Sequence, residues 1–167
     1  TNVSFELSTG ESIAITGRNG SGKTTLLMTL LASHHPSAGT IEYASDGTKL
    51  DGGDVRRLTS LVGPYLNLYD QLTAEENLRF FSTVAGLSVS GKQINQLLSR
   101  VGREGRGDDL VGAYSSGMKQ RLKYAAAILK EPAYLFLDEP SSNLDMAGKK
   151  MVAELIEVLP SPGHQVV

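Results

Sequence analysis

The segment from Gly17 to Thr24 constrains the fold more than any other part of this 167-residue chain. Its letters, GRNGSGKT, match the pattern G-x-x-x-x-G-K-[ST] at every specified position. A short apolar run at 12–16 precedes the segment, and residues 24–32 are rich in leucine and helix formers. We therefore predict a strand, a glycine loop and a helix in that order, which is the arrangement of a phosphate-binding loop.

The residue types in this loop fit the chemistry of a triphosphate. Glycines let backbone amides approach phosphate oxygens that a Cβ would obstruct, and the helix N-terminus favours anions. Lys23 would place a cation at the β- and γ-phosphates and assist catalysis, and the Thr24 hydroxyl would ligate Mg²⁺. A flexible glycine turn that contains a chance lysine is the structural alternative. The predicted nucleotide contacts are Gly17, Arg18, Asn19, Gly20, Ser21, Gly22, Lys23, Thr24 and Thr25.

A pair of acidic residues follows the most apolar run of the chain. Residues 133–137 are five apolar residues after Pro132, a pattern typical of a strand buried on both faces of a parallel sheet. At the carboxyl end of such a strand, Asp138 would hold Mg²⁺ and Glu139 would act as the general base that polarises the attacking water. Two solvated turn acids before Pro140 are the alternative.

The remaining pattern alternates strands with helices and indicates an α/β domain. Thr73 with Glu76 and Ser90 with Gln93 have the spacing of capping boxes, so a helix is predicted after each. Asp46-Gly and Asp51-Gly-Gly predict turns beside a short edge segment. Further strands are predicted at 40–44 and from 165 onward, and further helices at 115–130 and 147–159.

Composition narrows the classes of partner. The formal net charge of −2 offers no bulk attraction for nucleic acid or anionic lipid, so no direct nucleic-acid partner is expected. The lack of cysteine excludes disulfides and thiolate metal sites and fits a reducing cytoplasm. No apolar run approaches the roughly 18 residues that cross a bilayer. His34 and His35 could bind a metal, but a solvated pair in a turn is favoured because no further ligands lie nearby in sequence.

Three segments carry a resemblance to a known family. Residues 114–121, YSSGMKQR, resemble the signature of the ABC ATPases, which is Leu-Ser-Gly-Gly-Gln followed by Gln-Arg. Residues 139–145, EPSSNLD, resemble the D-loop of that family, and residues 72–78, LTAEENL, resemble the stretch after its Q-loop. Together with the phosphate loop and Asp138, these motifs stand in the family's order and spacing.

The resemblance implies a fold and a mechanism. The fold would be the three-layer α/β/α core of phosphate-loop NTPases, with a mostly parallel sheet and an N-terminal antiparallel β portion. One domain would span 1–167, with a core of 1–69 and 132–167 and a helical subdomain at 70–131. Two subunits would pair head-to-tail, so that Ser115, Ser116 and Gly117 of one contact the γ-phosphate held by Lys23 of the other.

What the resemblance implies for function is an ATPase that uses ATP and Mg²⁺ to power transport. It would lie at the cytoplasmic face of a membrane, attached through a transmembrane permease subunit. The alternatives are a soluble ABC ATPase that acts on ribosomes or nucleic acid, and a degenerate module that only binds nucleotide. The short distance in sequence between Gly22 and Ser115 leaves no room for the long coiled coil of DNA-repair relatives.

The chain departs from the family pattern at several positions. Pro64, or Tyr65 if the count slips by one, stands where the Q-loop glutamine is expected, and Tyr65, Asn67 or Gln71 could substitute. Ser116 and Met118 replace a glycine and a glutamine of the signature, a variant associated with exporter-type bacterial members, among them the ATP-binding subunits of haem exporters. The adenine-stacking aromatic is expected before residue 1 and the switch histidine after residue 167, so we expect truncation at both ends.

Overall fold

The computed structural model describes residues 3–8, 10–45, 47–158 and 165–166. Six α-helices and five strands fall within them. In chain order the elements are α1 (Lys23–Leu30), β1 (Ala44–Ser45), β2 (Thr48–Lys49), α2 (Gly52–Leu58), β3 (Thr59–Val62), α3 (Ala74–Val84), α4 (Gly91–Arg100), a 3₁₀ turn (Val111–Ala113), α5 (Ser116–Ile128), β4 (Tyr134–Leu137), α6 (Met146–Val158) and β5 (Gln165–Val166).

The sheet that carries the predicted site is parallel. Its order is β3-β4-β5, and both pairings are parallel, with Leu135 opposite Ser60 on one side and Val166 on the other. The strand predicted at 133–137 is therefore confirmed as the centre of this sheet. The predicted antiparallel β portion is the pair β1 and β2, in which Ala44 faces Lys49.

Both faces of β4 are covered, because its successive side chains point to opposite sides of the sheet. Leu135 packs in the larger core with residues of α3 to α6, whereas Phe136 packs with α1 residues such as Leu27 and Leu30. Leu135 is 1% exposed and Phe136 is 0% exposed. The layers are thus helix, sheet and helix, as predicted.

The helical stretch in the middle of the chain also follows the prediction. Thr73 and Ser90 form capping boxes with Glu76 and Gln93, each with a hydroxyl accepting from the N3 amide and the N3 side chain accepting from the N-cap amide. Residues 70–131, all of them described, contain helices and one isolated antiparallel bridge between Thr73 and Leu110 but no extended strand. The division into a core and a helical subdomain stays a prediction.

Two predicted strands differ from the structure. Residues 12–16 form an isolated bridge at Ser12 and no extended strand, although Ile15 packs against the α1 side of the core. Of the strand predicted at 40–44, only Ala44 lies in β1. An apolar run forms a strand only where another strand lies beside it, and among the described residues no strand is paired with 13–16 or 40–43. The Tyr43 carbonyl does accept from the amide of Leu50 at 2.8 Å, which continues the β1–β2 pairing by one residue.

The sequence patterns do not predict helix α2 or strand β3. Asp51, where the sequence predicts a turn, is the N-cap of α2, and its side chain accepts from the amide of Asp54 at 2.7 Å. Strand β3 follows α2 without a connecting loop, because Thr59 is both the C-cap of the helix and the first residue of the strand. Because no glycine or proline lies between α2 and β3, no turn residue marks their boundary in the sequence.

Candidate nucleotide-binding site

The backbone of the predicted phosphate loop passes close to a side chain at Gly17 and is left-handed at Gly20 and Gly22. A Cβ on Gly17 would lie 2.7 Å from the Oγ of Ser21, so a side chain there would require the Ser21 hydroxyl to rotate away. Gly20 and Gly22 have φ of 78° and 93°, which favour glycine for conformational reasons instead. Gly22 is also the N-cap of α1, and no side chain caps the helix. The first-turn amides of α1 are therefore available to an anion.

Lys23 is already placed inside this loop. Its Nζ donates to the carbonyl oxygens of Gly17 and Arg18, both at 3.0 Å. The side chain is half-buried, while residues 17–22 are exposed. The arrangement holds a cation beside free amides at the surface, which is what binding of a triphosphate requires.

The two predicted metal ligands touch each other. The hydroxyl of Thr24 donates to Oδ2 of Asp138 at 2.8 Å, which joins the start of α1 to the end of β4. Asp138 is 7% exposed, and its amide donates to the carbonyl of Val62 at 2.8 Å, continuing the β3–β4 pairing. A hydroxyl and a carboxylate oxygen side by side fit Mg²⁺, which prefers oxygen ligands and takes the rest from phosphate and water.

Glu139, the predicted general base, is the next residue at this edge of the sheet. Its side chain is exposed, and its φ of 52° is unusual for a residue with a side chain. Oε2 of Glu139 accepts from the hydroxyl of Ser142 at 3.0 Å, and the amide of Ser142 donates to the carbonyl of Glu139 at 3.0 Å. The loop thus presents a carboxylate to solvent beside the Thr24–Asp138 pair.

The segment predicted to meet a partner's nucleotide starts helix α5. Ser115 is the N-cap, and its Oγ accepts from the amide of Met118 at 3.3 Å. Ser115 and Ser116 are exposed, and within the described part of the chain no hydrogen bond joins them to the phosphate loop. Gly117 lies against the loop after β4, since a Cβ there would be 2.9 Å from the carbonyl oxygen of Asn143. The structure therefore leaves this helix end open at the surface.

A salt bridge fastens α5 to the start of α6. The guanidinium of Arg121 lies 2.7 Å from Oδ1 of Asp145, and the same oxygen accepts from the amide of Gly148 at 2.8 Å. The Gly148 amide, followed by the hydrogen bond from Arg121, lowers the pKa of Asp145 below its usual value. Because Arg121 is only 8% exposed, Asp145 compensates a nearly buried charge.

The positions counted for the Q-loop residue lie just after β3. Pro64 and Tyr65 are both exposed. A Cβ on the preceding Gly63 would lie 3.4 Å from Cβ of Asp138 and 3.7 Å from Cδ2 of Tyr65. Tyr65 and Asp138 therefore both lie close to Gly63, and which residue takes the place of the Q-loop glutamine stays a prediction.

The sequence analysis did not predict the buried hydrogen bonds of two side chains, Asn77 and Tyr124. Asn77 is fully buried, and its amide group accepts from the Tyr69 amide at 2.8 Å and donates to the carbonyls of Tyr69 and Thr73 at 3.0 and 2.9 Å. Its signal was a polar residue on the apolar face of a predicted helix. Tyr124, whose hydroxyl donates to the Pro140 carbonyl at 2.6 Å, left no signal beyond membership of an apolar stripe.

The described residues contain neither a clustered metal site nor a helix suited to cross a membrane. His34 and His35 are exposed, and no group of three or more metal-binding side chains occurs among the described residues. Within the same residues, no helix combines the length and the apolar character needed to cross a bilayer. His164, which precedes the last predicted strand and is therefore not assigned the role of the switch histidine, lies outside the described residues.

Comparison with known proteins agrees with this geometry. The ABC transporter family model matches residues 1–142. The ABC transporter ATP-binding protein YxlF of Bacillus subtilis is 40% identical over 95% of this chain and 52% of its own length. The Nod factor export ATP-binding protein I of Burkholderia orbicola is 34% identical over 99% of this chain and 55% of its own length. The chain thus spans about half the length of these curated relatives.

Solved structures give the same answer. A structure described as the ATP-binding subunit of an ABC transporter has a TM-score of 0.77 at 29% identity and covers 94% of this chain and 67% of its own. CbiO1 from Clostridium perfringens has a TM-score of 0.78 at 26% identity and covers 98% of this chain and 68% of its own. Since the matched family model spans the phosphate loop, the signature helix and the Asp138–Glu139 edge, the chain belongs to the ABC transporter family of ATP-binding proteins.

Proposed function

We propose that this protein binds ATP with Mg²⁺ between the phosphate loop and the end of β4, hydrolyses it to ADP and phosphate, and so powers transport through a separate membrane subunit. The observation that carries the proposal is the 2.8 Å hydrogen bond from the Thr24 hydroxyl to Asp138. It brings a loop suited to phosphates and a carboxylate suited to Mg²⁺ to one point of the fold, although 114 positions separate the two residues.

Within the proposed site, Lys23 and Thr24 have tasks beyond the phosphate contacts that they share with the rest of the loop. The loop residues Gly17–Thr25 bind the phosphates, and Lys23 moves from the loop carbonyls to the β- and γ-phosphate oxygens. Thr24 and Asp138 supply oxygen ligands to Mg²⁺, which neutralises phosphate charge when bound. Glu139 orients a water and accepts its proton at the carboxylate.

The proposed site is completed by a second subunit. The amides of Ser116 and Gly117 lie in the first turn of α5, and Ser115 presents its side chain at the same exposed end. Such a helix end attracts an anion, yet in one chain it forms no hydrogen bond with the phosphate loop among the described residues. A head-to-tail pair supplies the missing contact, with the γ-phosphate between Lys23 of one subunit and Ser115 of the other.

The transport partner is inferred from the relatives. One is named for Nod factor export, and CbiO1 is described as part of the ABC transporter complex cbiONQ. We infer a permease subunit that holds this protein at the cytoplasmic face of a membrane. A groove with the apolar side chains of Leu66, Phe81 and Val84 beside the cations Arg56 and Lys130 suits an apolar cytoplasmic segment of that permease that carries an acidic residue.

The experiment that tests this function is Glu139→Gln, measured as steady-state ATP turnover and as ATP affinity. We expect turnover to fall about 100-fold or more while ATP binding is retained, because only the water-activating group is lost. ATP should then trap a dimer that size-exclusion chromatography detects. Glu131→Gln is a matched control, since Glu131 is also exposed and also has a positive φ, of 48°. Turnover close to that of the unmodified protein in Glu139→Gln would contradict the role of Glu139.

A further inference from the structure

A buried tyrosine on α5 reaches the loop that carries Glu139. The side chain of Tyr124 is fully buried, and its hydroxyl donates to the carbonyl of Pro140 at 2.6 Å. Burial raises the pKa of this phenol above its ordinary value, so the hydroxyl stays protonated and remains a donor across the physiological range. A donor in such surroundings needs its partner, because an unpaired buried polar group is costly.

The carbonyl that Tyr124 holds lies at a strained point of the chain. Pro140 follows Glu139 directly, and Glu139 has a φ of 52°. Asn143, three residues after Pro140, also has a positive φ, of 61°. Side-chain-bearing residues persist in this conformation only where the surrounding structure over-determines it. The hydrogen bond from Tyr124 is therefore placed where it can hold Glu139 in an unfavourable backbone geometry.

The other contacts of this loop act at different places. The Ser142 hydroxyl bonds the Glu139 carboxylate from within the loop, on its exposed side. The contact of Gly117 with the Asn143 carbonyl and the salt bridge between Arg121 and Asp145 fasten the far end of the loop to α5. Tyr124 lies one turn of α5 beyond Arg121 and fastens the near end, at the peptide next to Glu139.

We propose that Tyr124 is a positioning residue for catalysis: its hydroxyl fixes the Pro140 carbonyl and thereby the direction in which Glu139 presents its carboxylate. The inference rests on the proposed role of Glu139 as general base. Tyr124 itself does not touch nucleotide or water. Its loss should slow turnover without weakening ATP binding, because the Tyr124 hydroxyl bonds the Pro140 carbonyl and not Lys23, Thr24 or Asp138.

The test compares Tyr124→Phe with Tyr43→Phe in the full-length protein. Tyr43 is a matched control, since its hydroxyl also donates to a backbone carbonyl, that of Leu30, at 2.8 Å, and burial also raises its pKa. Phenylalanine keeps each ring in place and removes only the hydroxyl. We expect kcat to fall about tenfold in Tyr124→Phe, the effect of one lost hydrogen bond on a buried carbonyl, with the KM for ATP within about twofold. Tyr43→Phe should leave both unchanged.

A second comparison separates this inference from the proposed function. In a Glu139→Gln background, measured by single turnover, Tyr124→Phe should add no further loss, because the hydroxyl acts through the group already removed. A further tenfold loss there, or equal kcat in Tyr124→Phe and Tyr43→Phe, would overturn the positioning role. If instead Glu139→Gln turns over like the unmodified protein, the general base assignment fails, whatever Tyr124→Phe does.

Discussion

The N-termini of helices α1 and α5 are both exposed, and they are capped in different ways. Gly22 caps α1 with a φ of 93° and no side-chain hydrogen bond. Ser115 caps α5 with extended backbone, and its Oγ accepts from the amide of Met118 at 3.3 Å. The glycine cap leaves the first-turn amides without a side-chain partner, whereas the serine cap satisfies one of them.

This difference determines how well each helix end can bind a triphosphate without a partner. At α1 the amides are accompanied by Lys23, held 3.0 Å from two loop carbonyls, so this end brings together positive charge and donors. At α5, within the described residues, Ser115 and Ser116 bring a hydroxyl and amides but no cation that bonds to them. We therefore infer that α1 binds a triphosphate by itself and that α5 contributes only when a partner delivers one.

Lys23→Ala should have the largest effect, because it removes the cation that distinguishes the α1 end from the α5 end. Removing the cation should weaken ATP binding roughly 10- to 100-fold, since a hydrogen bond to a charged group contributes about 1.5–3 kcal/mol. The measurement is equilibrium binding of a fluorescent ATP analogue to the monomer. Lys92→Ala, an exposed lysine on α4, is the control and should bind normally. Unchanged affinity in Lys23→Ala would show that the loop is not the phosphate cradle.

Gly117→Ala should affect the other helix end without touching the first. A Cβ there would lie 2.9 Å from the Asn143 carbonyl oxygen, so α5 and the loop after β4 must move apart. We expect a loss of about tenfold in turnover, with monomer affinity for ATP unchanged, because preorganised donors lose their geometry. Gly91→Ala is the control, since Gly91 also lies in the first turn of a helix but a Cβ there meets only Arg79, at 3.5 Å. A drop in monomer affinity would show that the two helix ends are not independent.

Ser115→Ala should have the smallest effect and sharpen the comparison. The lost cap should cost about 1 kcal/mol of folding stability. Ser90→Ala removes an equivalent cap from α4 and should cost a similar amount in the same thermal unfolding assay. Turnover should fall a few-fold in Ser115→Ala alone, because only that hydroxyl is proposed to meet nucleotide. Equal turnover in the two variants would reduce Ser115 to a structural cap.

The local features of the fold were predictable from the sequence. The capping boxes at Thr73 and Ser90, the N-cap at Ser115 and the buried strand before Asp138 all depend on residues within a few positions of one another. Hydroxyls reach amides three residues away and apolar runs seek burial, whatever the rest of the chain does. Strand β3 was missed because it continues from α2 with no turn residue between them.

Contacts between segments that are distant in the chain were harder to predict from the sequence. That Asp138 would lie beside the phosphate loop followed from the rule that sites form at the carboxyl ends of parallel strands, and the hydrogen bond to Thr24 agrees with it. The bond from Tyr124 to Pro140 followed from no rule, because a tyrosine in an apolar helical stripe has the same pattern whether its hydroxyl is bonded or not.

The sequence by itself determined the phosphate loop, the acidic pair, the signature segment and the helices of the middle stretch. Tertiary structure alone decided that residues 12–16 do not pair as a strand among the described residues. It also decided that α5 contacts the loop of Glu139 through Gly117, Tyr124 and Arg121. The reason is physical: a local pattern fixes what a segment can form, whereas hydrogen bonds and burial between segments depend on which partners the fold brings within reach.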